Sequence, residues 1–382
     1  MKILHICFQS SYIDGWGYQE NLLPHYLTKI GSDNYVLTSS NNYPHYLKDD
    51  IRRDIESKGN SYCYNGVNIR RVPTKRISSS LSFCPNLYKH LSDIKPDAIF
   101  HHGVAFSTLP IVALYAKKHH IPLFVDNHAD EINMSKNKVW VAINYRILGA
   151  FACMICNGVV TKYYGLSKSR CDFLLKYFKV PKSKIVFLPI GADVDLSSNI
   201  EDKSVLRRKY GFSDDDFIVV SGGKMGVGKG TDKLIEAVGG FKETHSQVKL
   251  ILFGKFEDTI SETKAKKNNL ATVYGWCDRR KTLELLKLSD VACWPIHHTT
   301  LIEDAVSVCT PLILRKTDTT SHLITKNGAW IEKSSIDELL HSLEFIYLKH
   351  KSGMLSEWCN AKKDELSYCT IAQRVLDDMI NL

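Results

Sequence analysis

The sequence predicts an α/β protein built from two doubly wound parallel sheets, and three observations carry that prediction. Short β-rich runs alternate with amphipathic helical stretches, a pattern that parallel sheets require because each crossover needs a helix. The alternation stops at a polar stretch near residue 200 and then restarts. The chain has 382 residues, more than the ~100–200 typical of one domain. A composition of 44% apolar and 24% charged residues is that of a globular protein and excludes disordered and collagen-like classes.

In the first series, KILHIC (2–7) reads as a strand, ENLLPHYLTKI (20–30) as an amphipathic helix and YVLTSS (35–40) as the next strand. DAIFHHG (97–103), an apolar helix near 108–118 and PLFVDNHA (122–129) repeat the pattern, and KIVFLPIGAD (184–193) closes it. DLSSNIEDKS (195–204) reads as a linker. The second series runs FIVVSGG (217–223), a helix over 231–243, VKLILFG (248–254), ATVYGW (271–276), a helix over 279–289, DVACWP (290–295), a helix from about 301 and PLILR (311–315). The boundaries follow as 1–196 for the first domain and 197–365 for the second. The helical stretch after Ser335 is longer than one domain needs, so 366–382 is expected to pack back on the first. Sheets of this kind bind ligands at the carboxyl ends of their strands, so two facing domains are expected to leave a binding cleft.

No window approaches the ~18 uninterrupted apolar residues of a spanning helix, and MKILHICFQSS lacks the layout of a signal peptide. A cytoplasmic location is therefore expected. The eleven cysteines are an odd number without an export signal, which favours reduced thiols. Cys153 and Cys156 form the only C-x-x-C, inside the apolar run 147–160. They read as packed thiols in a buried helix, with a redox pair or half a zinc site as alternatives.

Charge is unevenly divided. Residues 1–200 hold 24 Lys+Arg against 15 Asp+Glu, whereas 201–382 hold 26 against 26. The basic half includes Arg70, Arg71, Lys75, Arg76, Lys117 and Lys118, and a later group of Lys176, Lys179, Lys182 and Lys184. Such a surface attracts anionic lipid, or merely keeps the domain soluble; nucleic acid is not expected, because no reader motif accompanies the charge.

The richest segment is SGGKMGVGKGTDKLIEA (221–237), a glycine-rich turn between strand and helix with Lys224 and Lys229 flanking it. Glycines permit close backbone approach, N–H groups at a helix start favour an anion, and two lysines neutralise a diphosphate. A tight turn with surface lysines is the alternative. The run from Gly223 through Gly228 and Lys229 follows most of a phosphate-binding P-loop, but Gly230 stands where Ser or Thr must hold magnesium.

The same segment resembles the G-[RK]-x-x-x-x-K-G-x-D-x-L-I-E-A signature of the family 4 retaining glycosyltransferases of the GT-B fold. Further stretches resemble that family in order and spacing: the glycine loop and first helix within DGWGYQENLLPHYLTKIGSDNYVLTS (14–39), the histidine loop VDNHADE (125–131), KIVFLPIGADVD (184–195), VYGWCDRRKTLELLKLSDVACWP (273–295) and EDAVSVCTPLIL (303–314). The resemblance implies two Rossmann-like domains and transfer of a sugar from a nucleotide donor, with the anomeric configuration retained and no required metal or cofactor.

It also implies site residues. Lys224 and Lys229 would face the donor diphosphate and stabilise the charge that builds up as it leaves. Gly223 belongs to the same turn. Aligning on Thr310 and Pro311 puts Asp304 at the family's second glutamate, the ribose ligand, and Ile296 at the first, so the first carboxylate is missing. His297 or His298 would contact the donor sugar instead, unless they form a solvated loop pair, and Glu303 takes the ribose role if the register slips by one. Cys309 replaces the glycine before Thr310, which suggests a differently shaped turn. Gly15 and Gly17 would offer N–H groups to donor phosphate or acceptor, or simply make a loop. His128 matches the family's histidine near the reacting sugar, with a structural histidine as the alternative, and Asp126 and Asp130 are weaker acceptor-side candidates.

The expected partners are a UDP-, GDP- or dTDP-linked sugar and a lipid-linked saccharide acceptor at an anionic membrane surface, with the protein peripherally associated on the cytoplasmic side. Two other readings remain open on the missing carboxylate: a GT-B-fold sugar-nucleotide epimerase and an inactive sugar-nucleotide-binding scaffold.

Overall fold

The computed structural model describes residues 1–9, 12–44, 47–78, 81–132, 134, 137–267 and 270–381. The side chain of Arg76, one of the basic residues noted above, lies outside what is described. The chain divides into two compact units, Met1–Pro189 with Ile371–Leu382, and Ile190–Thr370.

The first unit opens with β1 (Lys2–Cys7), β2 (Asp33–Ser39), β3 (Ser61–Tyr64) and β4 (Val67–Val72). A separate hairpin of β5 (Lys75–Ser78) and β6 (Leu81–Phe83) follows, then β7 (Ala98–His101), β8 (Leu123–Asn127), β9 (Val160–Gly165) and β10 (Ile185–Phe187). Its eight-stranded sheet has the order β10-β9-β8-β7-β1-β2-β4-β3, parallel except for the β3–β4 pair. β1, β7 and β8 are buried along nearly their whole length, which explains their continuous apolar character. The chain winds outward from β1 in one direction and, from β7, in the other. The switch point therefore lies between β1 and β7, where a ligand crevice is expected.

The second unit carries β11 (Phe217–Met225), β12 (Val248–Phe256), β13 (Ala271–Tyr274), β14 (Val291–Trp294), β15 (Leu312–Arg315) and β16 (Gly328–Ile331). They form one parallel sheet in the order β13-β12-β11-β14-β15-β16, with its switch point between β11 and β14. Local sequence sets the helix starts that flank this sheet. Asp278 caps helix Arg279–Leu288 through the Lys281 amide, and Ser335 with Glu338 forms a capping box at helix Ile336–Lys351.

The two series of elements appear as expected, with three corrections. Residues 195–204 are not a linker: helix Val194–Ser198 and the start of helix Lys203–Tyr210 occupy them, both inside the second unit. The division falls at Pro189 and at Thr370, not at 196 and 365, because the Ala192 amide bonds the Leu366 carbonyl and Tyr368 N–H bonds back to Ala192. The C-terminal residues from Ile371 belong to the first unit, where Asp378 accepts hydrogen bonds from Lys162 (2.6 Å) and Tyr164 (2.7 Å). The third correction concerns helix Lys138–Cys156. Cys153 and Cys156 are buried thiols as expected, with burial pushing both up to about 12, but the opposite face of the helix is exposed.

Candidate functional site

In the second unit the glycine-rich segment takes in the end of β11 and the turn that follows it at Gly226–Gly230. Asp258 shapes it from below: one carboxylate oxygen caps its own helix at Ser261 (2.8 Å) and the other accepts the Val227 amide (2.6 Å). Thr231 accepts the Gly226 amide at 3.1 Å, so its hydroxyl closes the turn and does not stand where a P-loop would hold magnesium. Gly230 adopts φ +74°, and a Cβ there would come within 3.0 Å of Pro295 and 3.1 Å of Ile296. Only glycine satisfies both demands.

The turn borders a cavity of about 230 Å³ lined by Gly222, Lys224, Lys229, Trp294, His297, His298 and Thr299. It sits at the carboxyl ends of β11 and β14, the switch point of this sheet. Gly223, at φ +97°, lies near the end of β11 beside it. Lys224 is exposed and 3.8 Å from Glu257, while Lys229 has no ion pair or side-chain hydrogen bond among the described residues. Burial, with Lys229 and Arg315 nearby, lowers the His297 imidazole below its ordinary value, so this histidine adds no charge to the lysines at neutral pH.

The two neighbouring carboxylates separate cleanly. Glu303 is buried, accepts from His298 Nε2 at 2.7 Å and leaves Oε2 without a hydrogen-bond partner among the described residues. Burial alone would raise its carboxyl, but His298 outweighs that and holds it below the ordinary range. Asp304 instead bonds Arg279 Nη2 (3.2 Å), which also holds Asp193 (3.1 Å). Burial, opposed by Arg279 and reinforced by Glu303 and Asp193, raises Asp304 to about 6. Asp304, the expected ribose ligand, thus faces Arg279, whereas Glu303, the alternative, faces the cavity-lining His298. The reason is helical geometry: consecutive residues point about 100° apart, so only one of the two can face His298. Arg279, which the sequence reading missed, stands in the doubled arginine that opens a capped helix and gave no distinct signal.

Cys309 has φ +60°, the left-handed conformation a glycine would adopt freely. Ile296 packs beside Gly230 and supplies no carboxylate.

In the first unit, β7 and β8 bring His102, Asp126 and His128 together. Asp126 is fully buried. Its Oδ1 accepts the Gly103 amide (2.7 Å), and its Oδ2 faces His102 Nδ1 (2.9 Å), His128 Nε2 (3.2 Å) and Gln19 Nε2 (3.3 Å). The chain continues inward from His102 to His5 (3.2 Å) and Asn34 (3.2 Å). Burial would raise Asp126, but the imidazoles of His128 and His102 outweigh it and hold the carboxyl far below its ordinary value. Burial would likewise lower His128, but Asp126 outweighs it and raises the imidazole. His5, buried and beside His102, is lowered well below its ordinary value.

His128 and His102 line a second cavity of about 260 Å³ with Gln9, Asn144 and Tyr145. The His128 side chain is 38% exposed and Asp126 is 0% exposed, so His128 is the group a ligand can touch. Asp126 acts through it and cannot itself meet an acceptor. Asp130 is also buried, 3.4 Å from Arg170 Nε and accepting the Ile132 amide, and is not among the residues lining this cavity. Gly15 (φ +79°) and Gly17 lie in the turn before helix Gln19–Lys29, outside the lining of this cavity. Ligand atoms of His102, Asp126 and His128 all lie within 4.8 Å of one another, close enough to hold one metal ion, and both imidazoles hydrogen-bond Asp126.

Comparison with known folds agrees with both sheets. The chain covers 100% of HepE from Anabaena, solved with UDP, and is itself covered in full, at 15% identity and a TM-score of 0.70. The fold is GT-B. WaaG, a glycosyltransferase involved in lipopolysaccharide biosynthesis, shares this GT-B architecture over 99% of each chain at 15% identity and a TM-score of 0.63. So does the UDP-GlcNAc 2-epimerase from Neisseria meningitidis, solved with UDP-GlcNAc, over 100% of each chain at 12% and 0.62. Residues 202–358 of the GT-B chain match the family model described as glycosyl transferases group 1, a span that contains the glycine turn and Glu303. No curated protein matches the sequence.

Proposed function

We propose that this protein is a glycosyltransferase that moves a sugar from a nucleotide-sugar donor to a lipid-linked saccharide, with retention at the anomeric carbon and no required metal, in the synthesis of a cell-surface polysaccharide such as capsule, O-antigen or exopolysaccharide. The observation that carries the reading is the cavity at the β11–β14 switch point, where Lys229 and Lys224 flank a glycine turn and the lining His298 bonds the buried Glu303 behind it. Cations there stabilise the negative charge of a departing nucleoside diphosphate more than they stabilise the bound donor, which is the requirement for catalysis. Glu303, bonded to the cavity-lining His298, is the carboxylate that accepts the ribose hydroxyls in this reading. His128, made more basic by Asp126, orients the acceptor hydroxyl, and the departing phosphate takes its proton.

The match to glycosyl transferases group 1 supports the transferase class, and HepE solved with UDP supports a uridine nucleotide among the candidate donors. The fold shared with WaaG, a glycosyltransferase involved in lipopolysaccharide biosynthesis, supports an acceptor of the lipopolysaccharide type, and with such an acceptor the protein works peripherally at the cytoplasmic face of a membrane. A second reading, a sugar-nucleotide epimerase, draws on the absent first carboxylate at Ile296 and on the shared fold of the Neisseria enzyme.

The purified protein, incubated with UDP-, GDP- and dTDP-sugars and membrane lipid extract with and without chelator, is expected to release nucleoside diphosphate only when lipid is present. Chelator should not suppress the release. Conversion of the donor without any lipid would favour the epimerase, and binding without turnover would favour a scaffold.

A further inference from the structure

The GT-B first unit carries an apolar surface that its sheet does not use. Along helix Lys138–Cys156, Val139, Ile143, Ile147, Phe151, Met154 and Ile155 are between 42% and 68% exposed. Apart from Met154 they recur at intervals of four. In a regular α-helix such a row drifts around the axis, but residues Ala142–Gly149 are π-helical, with i→i+5 bonds that slow the rotation per residue and counter the drift. The row therefore runs as a stripe along one side. Phe106 extends it, its ring 6.3 Å from that of Phe151.

The helix is long and apolar enough to cross a membrane, with 28% of it buried, but its other face is committed to the fold. Val141, Gly149, Ala152, Cys153 and Cys156 are buried, and a Cβ on Gly149 would come within 2.4 Å of Phe178. A helix held on one side by the core lies along a bilayer and does not traverse it.

Charge selects the occupant of the stripe. Helix Lys138–Cys156 carries two cations, Lys138 and Arg146, both exposed, and no Asp or Glu. A second copy docking by the same face would set like charges together, whereas an anionic leaflet complements them. We propose that the exposed face of helix Lys138–Cys156 is a membrane-docking surface, its apolar stripe entering the acyl boundary of an anionic leaflet with Lys138 and Arg146 at headgroup level. The surface deepens the membrane-association part of the reading above and rests on it for its biological meaning. Vesicle binding is measured without turnover, so the two can fail separately.

The test is co-sedimentation of the full chain with vesicles of phosphatidylcholine containing phosphatidylglycerol, and with phosphatidylcholine alone, at low and high salt. The protein is expected to partition onto the anionic vesicles and to stay partly bound at high salt. Ile147→Ser with Met154→Ser, both at exposed positions, should lower that partition by at least about tenfold while circular dichroism stays unchanged. Arg146→Gln should reduce only the salt-sensitive part. Absence of binding, or equal binding by the double variant, would overturn the proposal. So would a dimer in sedimentation velocity that the double variant dissociates without any vesicle binding.

Discussion

At the residue scale, Asp126 decides what the first unit's cluster can do. The sequence showed it as one acidic residue near a loop histidine, but not that it is fully buried and faces His102, His128, Gln19 and the Gly103 amide at once. That information lies in strand register: β7 and β8 pair so that His102 follows one strand end while Asp126 closes the other. His128 was legible because it follows an apolar strand, whereas His5 and His102 looked like strand residues. The pair has a consequence for stability. Asp126 is depressed, so its contribution is present above the unfolded value of about 4 and is lost as pH falls. His128 is raised, so its contribution is present below about 6.5 and is lost as pH rises through its folded value. Asp126→Asn leaves buried donors without a charged acceptor and is expected to cost about 1–3 kcal/mol. Urea denaturation across a pH series should show the deficit widest between about pH 4 and 6.5, narrowing on both sides. A deficit independent of pH would contradict the assignment.

At the scale of elements, turns carry the site, and they were unevenly legible. The glycine turn after β11 was visible because Gly223, Gly230 and the two lysines stand at fixed offsets from a strand and a helix. The choice between Glu303 and Asp304 was not, since adjacent acids on one helix differ only by its rotation. The polar stretch at 195–204 was misread because polarity marks a solvated helix as well as a linker; Asp193, which caps helix Val194–Ser198, was the overlooked sign. Cys309 shows the opposite case, a non-glycine residue in the left-handed conformation that glycine favours. A non-glycine residue in the left-handed region costs ~1–2 kcal/mol, offset in part by the greater chain entropy of unfolded glycine. Cys309→Gly is therefore expected to stabilise the protein by up to about 1 kcal/mol, provided that the loss of the Sγ contact to Asn360 is small. A melting temperature that falls by several degrees would show that the Cys309 side chain matters more than its backbone.

At the scale of the whole molecule, the two alternating series and the charge asymmetry specified two parallel-sheet units, one of them basic. Composition could not reveal which face of an apolar helix is buried. The run 147–160 reads as core because its exposed and buried residues are equally apolar, and only the fold separates Cys153 from Met154. Ligand positions follow from topology: each sheet changes winding direction once, and each candidate cavity lies at that point. The central claim is that the cavity of the second unit holds the donor through Lys229 and Glu303. The most direct measurement is calorimetric titration of UDP and UDP-sugars into the protein and into Lys229→Ala, Glu303→Gln and Asp304→Asn, each first shown to be folded. The account predicts that the first two weaken binding by roughly 10–100-fold, the range of a lost charge-assisted contact, while Asp304→Asn changes it far less. Undiminished affinity in Lys229→Ala, or a loss confined to Asp304→Asn, would contradict it.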